Sequence, residues 1–148
     1  MRLVSYGIRL YKLFLSNRRM YLYLPLGLYW LLIFVLTSIP GTHVPNLFGT
    51  SDKLKHFAAY FVLAFLLNFA LYIQKRFPLL SNRAMLFTFL ITLIYGIFDE
   101  VHQIFIPGRA FDWWDLVADI TGSILGIFIV KIIIRNNIND DNHLSDFS

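Results

Sequence analysis

Long apolar stretches separated by short polar segments dominate the chain. Treated as helices, they cover residues 21–39, 54–73, 84–106 and 113–134. Each is close to the roughly 20 residues that an α-helix needs to cross a hydrocarbon core of about 30 Å. No run shows the alternation of apolar and polar residues that is typical of membrane β-strands. The pattern therefore predicts an all-α, polytopic membrane protein with four transmembrane helices.

The two ends of the chain have a different pattern. In residues 1–20, basic and serine positions recur at helical spacing with apolar residues between them, which predicts an amphipathic helix in the membrane interface. A frayed basic leader is the alternative. Residues 21–135 then form the transmembrane domain, and the polar, acidic residues 136–148 are predicted to be a disordered cytoplasmic tail.

Composition agrees with a membrane protein, because 57% of the residues are hydrophobic and 15% are charged. The net charge of +4 is unevenly distributed. Ten of the thirteen Lys and Arg residues precede the first span, lie between the second and third, or end the fourth. The positive-inside rule places that side, and with it both termini, in the cytoplasm. This distribution argues against nucleic-acid binding, and the absence of cysteine excludes disulfides and a thiol nucleophile.

Ionisable and polar side chains concentrate at the other, predicted outer end of the helices. At the starts of the second and fourth helices, polar residues recur at three- and four-residue spacings, so each set shares one helix face. On the fourth helix the stripe continues through Gly122 and Gly126, a small-xxx-small motif that directs this face towards the bundle interior. Asp99 and His102 lie on a neighbouring face, which we expect to meet the aqueous boundary. The candidate site residues are Asp52, Lys53, His56, Tyr60, Glu100, Gln103, Arg109, Asp112, Asp115 and Asp119.

His56 and Glu100 are the candidates for acid–base chemistry. A carboxylate below the headgroups is costly to keep there, and an imidazole titrates near neutral pH. The alternative for His56 is a hydrogen bond across helices. With Asp115 and Asp119, these two residues also offer oxygens and one imidazole to Mg²⁺ or Mn²⁺, but no spaced metal-ligand motif is present. We therefore predict no cofactor and do not favour a divalent cation.

Two cationic residues indicate an anion. Arg109 follows a Pro-Gly turn that can direct its side chain over the bundle, and a guanidinium can hold a phosphate or carboxylate through two hydrogen bonds. Lys53 is the second cation, although on its own it is expected to extend to lipid headgroups. The competing hypothesis for Arg109 is an ion pair with Asp112 or Asp115 that holds the fold together.

An ordered series of short motifs resembles a known family. The motifs are Ser38-Ile39-Pro40-Gly41, Asp52-Lys53-x-x-His56-x-x-x-Tyr60, Tyr95-Gly96-x-x-x-Glu100-x-x-Gln103, Pro107-Gly108-Arg109 and Asp112-x-x-Asp115-x-x-x-Asp119-x-x-Gly122-x-x-x-Gly126. Over roughly residues 25–130 they are similar to the VanZ-like family of bacterial membrane proteins. The resemblance implies a role in the cell envelope, since the family takes its name from a member associated with teicoplanin resistance. Asp119 stands where Asn is expected in many relatives, so this chain carries an additional carboxylate.

Three functions follow as hypotheses. The first is a protein of the bacterial cell (inner) membrane that binds or handles an anionic envelope component, either a lipid or a lipid-linked cell-wall precursor. The second is an integral-membrane hydrolase or group transferase acting on an anionic lipid, with His56 and Glu100 as acid and base. The third is a small ion- or proton-coupled carrier. Whether the protein is an enzyme and whether it forms a homo-oligomer stay open at this stage.

Overall fold

The computed structural model describes residues 17, 19–40 and 52–145, with side chains for 17, 20–40 and 52–136. A π-helical turn, Arg19–Tyr23, leads into the first α-helix. In chain order the helices are α1 (Leu24–Thr37), α2 (Asp52–Ile73), the short α3 (Pro78–Asn82), α4 (Ala84–Gln103) and α5 (Trp113–Ser145). Residues 1–16 of the predicted interfacial helix lie outside the described residues. The backbone of α5 is helical to Ser145, where the composition favoured a disordered tail.

Four helices are long and apolar enough to cross a membrane. They are Met20–Thr37, Asp52–Ile73, Ala84–Gln103 and Trp113–Asn136. The predicted all-α architecture with four spans is confirmed, and the described residues contain no strand. The first and third helices end a few residues earlier than the apolar pattern predicted. Pro40 and Pro107 explain the difference, because the residue before a proline is disfavoured in the helical conformation.

The helix α2 packs most extensively against α5. Gly122 and Gly126 make this approach possible, since a Cβ atom at Gly122 would overlap the carbonyl oxygen of Phe57. A Cβ at Gly126 would overlap the carbonyl oxygen of Phe61 in the same way. The small-xxx-small stripe therefore brings two backbones together, which is its usual role between membrane helices.

The helix α1 lies at the periphery of the bundle. Ile33 is its only buried residue, and its large apolar side chains include the exposed Leu28, Leu31 and Val35. Such an apolar surface is expected to face lipid in a membrane protein. The Tyr29 hydroxyl donates to the carbonyl oxygen of Ala59 at 3.2 Å, which links α1 to α2. This helix therefore forms a thin wall beside α2 and α4.

The two ends of the bundle differ in charge. At the end away from the predicted site, Arg83, Lys131 and Arg135 line a cavity of about 390 Å³. Near this end the buried amide of Asn68 donates to the Thr88 hydroxyl at 2.9 Å. The opposite end holds the carboxylates of the candidate site. This separation underlies the predicted orientation in the membrane, which itself stays a prediction.

Candidate functional site

His56 lies at the centre of a cluster formed by α2, α4 and α5. Its Nδ1 atom is 3.0 Å from Asp119 Oδ1 and 3.9 Å from Glu100 Oε1. Its Nε2 atom is 3.9 Å from Asp115 Oδ2. All four side chains are at most 8% exposed. Three carboxylates therefore surround one imidazole in a site that excludes most water.

Lys53 closes the cluster on its exposed side. Its Nζ atom lies 2.6 Å from Asp112 Oδ2 and 3.0 Å from Asp115 Oδ1. The nearby ammonium holds the pKa of the Asp112 carboxyl below its usual value. Asp112 also begins α5, because its Oδ1 atom accepts the backbone N–H of Trp114 at 2.8 Å, as an N-cap residue does. Lys53 thus forms ion pairs with two protein carboxylates, whereas the sequence alone predicted an extension to lipid headgroups.

Glu100 connects the end of α4 to the start of α5. Its side chain is fully buried, and Oε2 accepts the backbone N–H of Asp112 at 2.9 Å. Its other oxygen, Oε1, has a longer contact of 3.4 Å with Gln103 Nε2 and faces His56. One carboxylate oxygen is therefore fixed by the backbone, and the other is turned towards the imidazole.

A tight turn positions Arg109. The Arg109 N–H donates to the carbonyl oxygen of Ile106 at 3.0 Å, and Gly108 has a φ of 75°. With proline before it, a glycine at positive φ gives a type II turn, which a residue with a side chain adopts only with strain. The turn directs the guanidinium back towards the end of α1.

Arg109 contacts mainly neutral acceptors. Its guanidinium donates to the carbonyl oxygens of Ile39 and Leu36 at 3.3 and 3.5 Å, and to Gln103 Oε1 at 3.4 Å. Its nearest carboxylate among the described residues is Asp52, with Oδ2 at 4.0 Å. The hypothesised pairing with the first acidic residues of α5 is not seen, because Lys53 occupies them. Arg109 instead caps the carbonyl end of α1, where a cation is favoured.

The expectation that Asp99 meets the aqueous boundary is wrong. Its side chain is buried, with 1% of the residue exposed, and it lines a cavity together with His56 and Arg109. The spacing contained a signal for this burial, since Asp99 lies three residues after Gly96 and four before Gln103, both on inward-facing positions. Sequence reasoning therefore missed one carboxylate of the site.

His102 and Tyr60 extend the site in different directions. His102 is half-buried and stacks against Phe34, with ring centroids 5.2 Å apart. Tyr60 is fully buried one turn below His56, and its hydroxyl has no hydrogen-bond partner among the described residues. Apart from Tyr60, the predicted site residues thus form three connected groups. These are His56 with Glu100, Asp115 and Asp119; Lys53 with Asp112 and Asp115; and Arg109 with Gln103 and Asp52.

A cavity of about 200 Å³ opens beside His56, between α1, α2 and the turn that carries Arg109. Side chains of α1 form its apolar wall. Most of its polar residues come from α2, α4 and the turn, and α1 adds Tyr29 and Thr37. The apolar wall includes Leu32, Ile33 and Leu36, and the polar residues from α2, α4 and the turn are Asp52, Lys55, His56, Tyr60, Asp99 and Arg109.

Negative charge dominates this end of the protein. Six carboxylates lie here, against the three permanently charged cations Lys53, Lys55 and Arg109. Such an excess in a buried site favours bound protons or cations, since unpaired charge is costly away from water. The arrangement can therefore exchange protons, hold a cation, or present Arg109 to an anion at the cavity.

The VanZ/LLP1 family model matches residues 5–134. The chain belongs to this family. The match covers the first three membrane helices, nearly all of the fourth and every candidate site residue, so the resemblance noted in the sequence is confirmed. No curated protein and no solved structure matches the chain significantly. This VanZ-family protein is thus a multi-pass membrane protein with a buried cluster of ionisable side chains near one end.

Proposed function

We propose that this VanZ-family protein binds an anionic component of the cell envelope in the cavity beside His56. The observation that carries the proposal is the environment of Arg109, whose guanidinium lines the cavity and contacts carbonyl and amide oxygens at 3.3–3.5 Å. These acceptors are neutral and the contacts are long, and the one carboxylate close by, Asp52, is 4.0 Å away and half exposed. The charge of Arg109 is therefore not fully paired within the protein, and a guanidinium binds a phosphate or carboxylate in a bidentate manner.

The shape of the cavity supports a lipid or lipid-linked ligand. Leu32, Ile33 and Leu36 form an apolar wall, and Arg109 lies on the polar side. A volume of about 200 Å³ is below the roughly 300–1,000 Å³ of sites that enclose a whole small molecule. The cavity therefore suits a headgroup and the first part of a chain, with the remaining chain along α1. The predicted orientation places the site at the outer face of the bacterial cell membrane, where lipid-linked cell-wall precursors are a natural class to test first.

Native mass spectrometry of gently solubilised protein tests the proposal. We expect an anionic lipid to co-purify with the wild type. Arg109→Lys should retain about tenfold less lipid, because a lysine cannot form the two parallel hydrogen bonds of a guanidinium. Arg109→Ala is expected to retain still less. Arg83→Lys, which changes a guanidinium at the opposite end, is the matched control and is expected to retain the wild-type amount.

Melting temperatures of the same variants separate ligand binding from a structural role. Arg109 also caps α1, so its loss is expected to lower the melting temperature somewhat. If the folded fraction of Arg109→Lys keeps its full lipid complement, Arg109 is only a structural clamp and the proposal fails. A loss of lipid at equal folded fraction supports the anion site.

An enzyme acting on an anionic lipid is the second candidate, because His56 and Asp119 form a buried pair at 3.0 Å. A carboxylate that orients an imidazole is a common arrangement for a general base, and Glu100 offers a second proton-transfer group. Incubating the purified protein with defined anionic lipids and analysing the products by mass spectrometry tests this function. Turnover by the wild type that is lost in Glu100→Gln supports it, whereas unchanged lipids exclude it for the lipids used.

A further inference from the structure

Three ligand-type atoms converge inside the bundle. His56 Nδ1, Glu100 Oε1 and one carboxylate oxygen of Asp119 all lie within 4.8 Å of one another. Two ligands about 2.1 Å from one cation are about 3.0 Å apart at a right angle and about 4.2 Å apart when opposite. The observed separations of 3.0 Å between His56 and Asp119 and 3.9 Å between His56 and Glu100 fall within this range. Although the sequence did not favour a divalent cation, we propose from this convergence that His56, Glu100 and Asp119 bind one.

The charges of the cluster support a divalent ion. Glu100 and Asp119 carry two negative charges when both are ionised, and the imidazole supplies at most one positive charge. Lys53 does not supply the missing charge, because its ammonium contacts Asp112 and Asp115. Buried charges require compensation, and one divalent cation between these side chains provides it.

Unpartnered buried atoms give an independent observation. Asp119 Oδ2 and the Tyr60 hydroxyl have no hydrogen-bond partner among the described residues, and each of the two residues is only 1% exposed. Oδ2 lies close to Gly96, where a Cβ atom would be 3.2 Å from it, so a larger residue at this position would crowd the carboxylate. A bound cation supplies a partner for Asp119 Oδ2, and a water molecule on the cation supplies one for the Tyr60 hydroxyl.

Neighbouring groups orient each ligand. Oε2 of Glu100 accepts the backbone N–H of Asp112 at 2.9 Å, which leaves Oε1 for the cation. When His56 binds through Nδ1, its Nε2 carries the proton and faces Asp115 Oδ2 at 3.9 Å. Asp115 is in turn held by Lys53. A histidine ligand whose second nitrogen faces a carboxylate is the usual arrangement around protein-bound metals.

The donor set indicates the class of cation. One imidazole nitrogen and two carboxylates suit Mn²⁺ or Zn²⁺ better than Ca²⁺, which prefers oxygen ligands alone. Three protein ligands leave coordination positions open, and one of the three, His56, also lines the cavity that contains Arg109. The inference deepens the proposed function, on whose cavity it rests, because a cation there adds a second positive centre for an anionic headgroup.

Metal binding is measured on purified, chelator-treated protein in a neutral detergent, so that no anionic lipid takes part. Mn²⁺ is titrated by electron paramagnetic resonance of the free ion, and Zn²⁺ by competition. We expect one site per chain. Glu100→Gln and Asp119→Asn should each weaken binding at least tenfold, and Asp115→Asn about tenfold through the orientation of His56. Asp141→Asn is the matched control, since it changes a carboxylate near the other end of α5, and should bind as the wild type does.

Two results overturn the inference. One is wild-type protein with a normal melting transition that binds neither ion up to about 1 mM. The other is tight binding that is unchanged in Glu100→Gln and Asp119→Asn, which would place the ion elsewhere. If a ligand variant does not fold, the wild-type titration and Asp115→Asn still decide the question. Loss of lipid in Arg109→Lys without loss of Mn²⁺ binding identifies the anion site separately, so the two proposals can fail independently.

Discussion

The close approach of α2 and α5 gives a prediction that links packing to the site. A Cβ atom at Gly122 would overlap the Phe57 carbonyl oxygen and lie 3.0 Å from its carbon and 3.1 Å from Phe61 N. Because these are backbone atoms, they cannot rotate away as the end of a side chain does. Gly122→Ala therefore forces the two helices apart. Phe57 follows His56, so the separation also lengthens the 3.0 Å contact between His56 and Asp119.

The size of the effect follows from two opposing terms. Adding a methyl group to a closely packed interface typically costs about 1–3 kcal/mol. Alanine is favoured over glycine within a helix by about 0.5–1 kcal/mol. The two ranges together give a net cost of about 0–2.5 kcal/mol. Since the contact is with backbone, which cannot move aside, we expect the upper part of this range, about 1–2.5 kcal/mol. At about 2–4 °C per kcal/mol, the melting temperature should fall by roughly 2–10 °C.

Thermal unfolding of the purified variants, followed by tryptophan fluorescence in one detergent, measures this effect. Gly27→Ala is the matched control, because a Cβ atom at this position of α1 meets no described atom within 4 Å. Its melting temperature should stay constant or rise. Gly126→Ala should destabilise in the same direction as Gly122→Ala, since it also overlaps a carbonyl of α2.

If Gly122→Ala melts at or above the wild-type temperature, as the control Gly27→Ala is expected to do, the predicted overlap at Gly122 does not destabilise the protein. That result would mean that α2 and α5 have room for a methyl group between them. A Gly122→Ala protein that is destabilised but keeps full lipid and Mn²⁺ binding would contradict only the coupling of this contact to His56.

Two further predictions concern charge and orientation. The Asp112 carboxylate, whose pKa is lowered by Lys53, stabilises the folded state above the ordinary value of 3.8, and this contribution is lost as the pH falls through the lowered pKa. Asp112→Asn should therefore lower the melting temperature at neutral pH, and the difference from wild type should shrink as the pH is lowered below 3.8; a difference independent of pH would contradict this. Because the chain has no cysteine, single cysteines report orientation: one at Ala110 should react with an impermeant maleimide in intact cells or spheroplasts, and one at Asn82 should not. Labelling at Asn82 alone would reverse the predicted orientation.

The sequence alone determined the number of spans, their approximate limits and the end of the bundle at which the ionisable residues meet. These properties depend on the length of apolar runs and on helical spacing, which are local. The stripe through Asp119, Gly122 and Gly126 was also evident, because residues at such spacings share a helix face. The motifs that resemble the VanZ/LLP1 family are likewise short, local sequence patterns.

Only the tertiary structure decided which side chains are partners. Lys53 rather than Arg109 pairs with the acidic start of α5, and Arg109 caps α1 through backbone carbonyls that no sequence pattern reveals. Asp99 is buried because of how α4 is rotated against α2. Helix rotation and turn geometry depend on contacts between residues far apart in the chain. The sequence could therefore place the charges at one end, but the packing of the helices determined which carboxylates surround His56.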